Sequence, residues 1–146
     1  MRVESEQLGT FEVAEDSVIT FPYGIPGFLD ARQFCILETT AGCRFKLLQN
    51  LEEANLAFVV TDPLVEDEAY PLARVQELAE PLGIKGSEPV AVLSIVTVPA
   101  PPAAPTVNLL APLAIGPKTR LGMQVILHDS KYEMRHPVRQ LEAPED

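Results

Sequence analysis

The side chains able to do chemistry are two histidines, His128 and His136, two cysteines, Cys35 and Cys43, and 21 carboxylates. Zinc sites draw three or four His, Cys or carboxylate ligands from close sets. Here the histidines stand eight apart and the cysteines lie far from them in sequence. No Gly-rich phosphate loop, nucleophile elbow or Cys–His pairing pattern is present. A pair of carboxylates for general acid–base work can be assembled from any set this large, and no spacing favours one. The residues thus point to neither an enzyme nor a metal or cofactor protein, and the expected chemistry is recognition.

Charge indicates what could be recognised. The chain carries 21 acidic and 11 basic residues, a net charge of −10. That balance disfavours direct nucleic-acid binding, which needs lysine and arginine against the phosphates, and suits a basic protein partner. The first seventy residues hold 13 acids and 4 bases, the remainder 8 and 7, so an acidic face comes mainly from the first half. The densest acidic stretch is Asp62–Glu68, which makes Glu66, Asp67 and Glu68 candidate contacts. Asp129–Arg139 is different: it is poor in apolar residues and carries Lys131, Tyr132, Arg135, His136 and Arg139. Tyr132 and Arg135 are residue types enriched at interfaces. Two further candidates lie in apolar runs: Asn108, whose amide must find partners, and Gln124, which projects opposite to Met123 and Val125.

These groups need a scaffold, and the patterns are mostly those of strands. Fourteen prolines and eight glycines in 146 residues imply many turns and short elements. Phe21–Phe28, Phe-Pro-Tyr-Gly-Ile-Pro-Gly-Phe, cannot be helix interior or regular strand, yet it is rich in large side chains. It reads as a rigid corner whose side chains plug one end of a β core. Arg2–Gln7 reads as a polar edge strand, followed by short runs at Phe11–Val13 and Val18–Phe21. Gln33–Thr39, Phe45–Leu51 and Asn55–Asp62 form a meander, with a turn at Ala41-Gly42 that sets Glu38 opposite Cys43 and Cys35 opposite Lys46. The thiols are then offset and reduced, as in a cytoplasmic protein. Val75, Leu78, Ala79 and Leu82 have helical spacing, Pro81 ends that helix near Glu80, and Gly83 and Gly86 close the connection. Val90–Val98 is apolar on both faces and reads as a central covered strand. A stiff loop follows, with four prolines in Pro99–Pro105. Thr106–Ile115 resumes the β pattern, with Pro112 forcing an edge or a bulge, and Leu121–His128 is the last strand. The expected fold is all-β and mainly antiparallel, a small β-barrel-like domain with one short helix over residues 1–138, then an acidic tail over 139–146. The N-terminus is polar, unlike a signal peptide, and no apolar run approaches membrane-spanning length. From the residues alone this is a soluble, acidic, cytoplasmic domain that binds a macromolecule. The rival is a small-molecule or carbohydrate-binding β-barrel, which would show a deep pocket with convergent polar groups.

The ordered set of motifs is more specific. The Phe21–Phe28 loop, Phe45-Lys-Leu-Leu-Gln49, Phe58-Val-Val-Thr-Asp-Pro63, Ile95-Val-Thr-Val98, Thr106-Val-Asn-Leu-Leu-Ala-Pro112 and Gln124-Val-Ile-Leu127 occur in the order and spacing of the flagellar assembly factor FliW family. The resemblance covers about residues 3–138. It implies a β-barrel-like fold and a regulator without enzymatic activity. Its partners would be the carbon storage regulator, a basic RNA-binding dimer that represses flagellin translation, and flagellin itself, the two competing for one protein. The chain departs from the family pattern at Gly116, where asparagine is common, in the proline content of the 99–105 loop, and at Tyr132-Glu-Met-Arg-His136, where Tyr-Pro is typical.

Overall fold

Short alternating apolar runs form strands when each face has something to pack against. A computed structural model, which describes residues 1–39, 43–83, 89–128 and 130–138, arranges them in that way. The Ala41-Gly42 turn, Gly86, Asp129, Arg139 and the 139–146 tail lie outside the described residues. The strands are β1 (Arg2–Ser5), β2 (Gly9–Glu12), β3 (Ile19–Thr20), β4 (Gln33–Glu38), β5 (Lys46–Asn50), β6 (Ala57–Thr61), β7 (Ala91–Thr97), β8 (Thr106–Val107), β9 (Leu113–Ile115), β10 (Gly122–Gln124) and β11 (His136–Pro137). β1 and β2 form a separate hairpin; the main sheet runs β10-β9-β7-β6-β5-β4-β3, with β8 and β11 branching from β7. The named strand pairs are all antiparallel. An isolated parallel bridge, Thr20 to Leu121, brings the two ends of the sheet together. The sheet is barrel-like without being a closed barrel.

Alternation along the strands divides the core. On one face Phe34, Leu48, Val60, Leu113 and Ile115 pack with Ile19, Phe21 and Ile25. On the other, Cys35, Leu37 and Leu47 lie under Val3 of the hairpin. Further along that face Val96, Val107 and Ala114 meet Val75, Ala79 and Leu82. Burying each such aliphatic or aromatic side chain contributes about 1.5–3 kcal/mol.

Several expectations need adjusting. The β4–β5 register sets Glu38 opposite Lys46 and Cys35 opposite Gln49, because the connection is longer than a tight turn. Glu38 and Lys46 form an ion pair of 3.3 Å, and both cysteines remain free thiols. The helix at Leu72–Leu78 (α2) has a predecessor, α1 (Pro63–Glu66), within the acidic stretch, so the expected single short helix is joined by a second. Asp62 caps α1 by accepting the Leu64 N–H at 2.9 Å, and Pro63 fits the first turn, where no amide donor is needed. β7 is central, pairing with β6, β8 and β9, but its second face is incompletely covered: Leu93 and Ile95 are half-buried and Thr97 is exposed. The corner at Phe21–Phe28 plugs the core with only two of its four large side chains, Phe21 and Ile25; Tyr23 and Phe28 face outward.

Candidate binding surface

The incompletely covered face of β7 becomes an open groove of about 490 Å³. Ile95 and Thr97 form its floor, Phe58 of β6 adjoins them, and Ile25 and Pro26 of the corner form one wall. The opposite wall is the bulge in the return strand. β8 pairs Val107 with Val96 and β9 pairs Leu113 with Leu93, so the chain from Val107 to Leu113 is longer than the stretch of β7 it spans. The excess, around Asn108–Pro112, must leave the ladder, as the proline requires.

Three expected contact residues meet in this groove: Asn108, Gln124 and Arg135. The two amides are held in place locally. Asn108 Oδ1 accepts the Ala111 N–H at 3.0 Å, and Gln124 Nε2 donates to the Ala111 carbonyl at 2.8 Å. The two amides therefore close the bulge, and their remaining polar capacity faces the groove. Arg135 is exposed, and no ion-pair or hydrogen-bond partner reaches its guanidinium among the described residues. The sequence reading missed the apolar part of the lining. Ile126 is 47% exposed and Met134 61% exposed. Ile126 carried a signal: it is a large apolar residue on the same outward face as Gln124.

The other four expected residues lie apart. Tyr132, Asp67 and Glu66 line a second, polar cleft of about 370 Å³ with Lys131 and His136. Glu66 is tied to Arg44 at 3.8 Å with its side chain fully covered, and only Glu68 is exposed to solvent. The Tyr132 hydroxyl donates to Asp67 Oδ2 at 2.7 Å, and its ring meets Tyr70 edge-on at 4.8 Å. The Tyr70 hydroxyl continues the chain by donating to the Leu109 carbonyl at 2.5 Å. Asp67 also accepts from the Ala69 N–H at 2.9 Å and lies 3.6 Å from Lys131 Nζ. The Tyr132 hydrogen bond, followed by the Ala69 amide, holds the Asp67 carboxyl below the usual range. Burial, then the Asp67 carboxylate, pushes the Tyr132 phenol up to about 12. Asp67 and Tyr132 thus clasp the Lys131–Val138 segment to the body and position Arg135 at the groove. That segment ends in β11, which pairs with β8, so it is part of the sheet rather than a solvated extension.

Among the described residues no group of three or more His, Cys, Asp or Glu is placed to hold a metal, and no helix is long and apolar enough to cross a membrane.

Comparison with known proteins gives a consistent result. Residues 2–138 match the family model described as FliW protein. The chain is 39% identical over 139 residues to the flagellar assembly factor FliW of Natranaerobius thermophilus, covering 94% of this chain and 92% of the relative. It is 36% identical over 138 residues to the protein of the same name from Bacillus subtilis (strain 168), covering 94% and 96%. A crystal structure of the flagellar assembly factor FliW superimposes with a TM-score of 0.84 at 33% identity, covering 94% of this chain and 96% of that one.

Proposed function

From the premise that this chain belongs to the FliW family of flagellar assembly factors, we propose that it is a cytoplasmic, non-enzymatic regulator working by partner exchange. It binds the carbon storage regulator, a basic RNA-binding dimer, and so relieves repression of flagellin translation. Flagellin competes for it, so accumulating flagellin frees the regulator and lowers its own synthesis. The observation that carries this reading is the open apolar groove. It is open, it is lined by side chains from six separate parts of the chain, and two of its polar groups, Asn108 and Gln124, each spend a hydrogen bond on holding the bulge. A surface of that kind suits a protein segment better than a small polar ligand, which needs an enclosed pocket with convergent polar groups. The net charge of −10 suits a basic partner. Within this reading Asn108, Gln124 and Arg135 contact a partner, Tyr132 and Asp67 set the position of the contacting segment, Glu66 pairs with Arg44, and Glu68 adds to the acidic field.

Calorimetric titration with the host's carbon storage regulator, repeated with flagellin present, tests the reading. Saturable heat that flagellin suppresses is expected. Arg135→Glu should weaken at least one partner by about tenfold, as removal of an interface arginine commonly does, with an unchanged melting curve. Absence of heat and of co-elution with the regulator sinks the proposal.

A further inference from the structure

The Phe21–Phe28 corner has an outer side that the groove does not use. Beyond Pro26 the chain continues through Gly27, Phe28, Leu29, Asp30 and Ala31, which face Asn50, Glu52, Glu53 and Leu56 across a cleft of about 340 Å³. Phe28 is 45% exposed and Leu29 61% exposed, adjacent large apolar side chains in a protein whose core has room-filling side chains elsewhere. Both sides of the cleft are rigid. Gly24, at φ +68°, lies so close to the Leu29 backbone that an added Cβ would fall 2.5 Å from its carbonyl oxygen. Phe28 N–H donates to the Ile25 carbonyl at 2.6 Å, the Ala31 N–H donates to Phe28 at 3.0 Å, and the Phe28 ring stands edge-on to Phe58 at 5.4 Å. Opposite, the Asn50 carboxamide oxygen accepts from Glu52 and Glu53 N–H at 2.9 and 2.8 Å, while its Nδ2 donates to the Gln33 carbonyl at 3.2 Å. A fixed surface of this kind loses little entropy when it is covered.

The charge on the rim is one-sided. Asp30, Glu52 and Glu53 are exposed, and no ion-pair partner reaches them among the described residues. Arg32 is the nearby cation, and its Nε donates to the Leu29 carbonyl at 3.4 Å. We propose that the cleft between the 27–31 corner and the Asn50–Leu56 turn is a docking surface for a basic protein face, in which lysines or arginines meet Asp30, Glu52 and Glu53 and an apolar group covers Phe28 and Leu29. An acidic segment is repelled by the same rim, so the cleft discriminates between the two kinds of partner. The inference rests on the partner-exchange reading above, since it assigns this cleft to the basic regulator and not to flagellin.

Two variants separate the contributions. Asp30→Asn with Glu52→Gln and Glu53→Gln removes the charges; Leu29→Ser removes the apolar contact. Both change exposed side chains, and melting curves superimposable on wild type verify the fold. Titrated with the purified regulator at low salt, each is expected to bind about tenfold more weakly, a loss typical of an interface anchor. The charge variant should also have a flatter dependence on salt, and both should retain flagellin affinity. Wild-type affinity for the regulator in both variants overturns the inference and leaves the partner-exchange reading intact. Loss of flagellin in place of the regulator also overturns it. A wild-type protein that fails to bind the regulator overturns both.

Discussion

At the residue scale, Tyr132 has internal contacts as well as the type of an interface residue. Its ring meets Tyr70 and its hydroxyl bonds Asp67, both more than sixty positions away, so it also holds its own segment to the body. Nothing local in the sequence announces a bond over that separation. Tyr132→Phe deletes one hydrogen bond to a charged acceptor and should lower stability by about 1.5–3 kcal/mol at most, less because the site is part-exposed, measured as a lower urea midpoint with unchanged slope. The clasp also sets a pH dependence. Asp67 has a depressed folded-state pKa, so its contribution is present above the ordinary carboxylate value and is lost as pH falls through the folded one. The Tyr132 phenol is raised from 10.0 to about 12, so its contribution is complete below pH 10 and declines as pH climbs toward 12. Urea midpoints measured across both windows should fall at each end, and the alkaline fall should shrink in Tyr132→Phe. Arg135, by contrast, has no ion-pair or hydrogen-bond partner among the described residues, so its place at the groove owes nothing to a long-range bond of its own.

At the element scale, the meander, the central β7 and the bulge at Pro112 were legible because each rests on a local rule: period-two alternation, a two-faced apolar run, a proline that cannot donate. What escaped were the elements whose signal depends on the fold. α1 is only four residues, too short to show a period, although the Asp62-Pro63 pair contained both its cap and its first-turn proline. β11 carries a proline and pairs through two residues, so alternation cannot reveal it. The groove was illegible for a related reason: β7 is apolar on both faces, and sequence cannot show that one of them is left partly bare. The two sheet ends meet at Phe21 and Gly122, where a Cβ on the glycine would stand 2.8 Å from the Phe21 ring. Phe21 is fully buried against Phe34 and has nowhere to retreat. Gly122→Ala should therefore cost about 1–3 kcal/mol by overpacking, read from thermal or denaturant unfolding, whereas an alanine at exposed Gly27 would be penalised only through its positive φ.

At the scale of the whole molecule, charge acts before contact. With a net charge of −10 weighted to the first half of the chain, association with a basic protein should be steered, and stopped-flow measurements should show the association rate falling steeply as salt rises from about 0.05 to 0.3 M while dissociation changes little. A rate indifferent to salt would mean that the acidic surface serves solubility alone. The corner at Phe21–Phe28 has a consequence of a different order. Ile25 and Pro26 face the groove, and Gly27 to Ala31 face the cleft, so a single stiff partition separates two chambers. Any factor by which an occupant of one chamber weakens the other is returned in full. Rivalry between two guests then requires no shared footprint, only bodies that overhang the partition from either side.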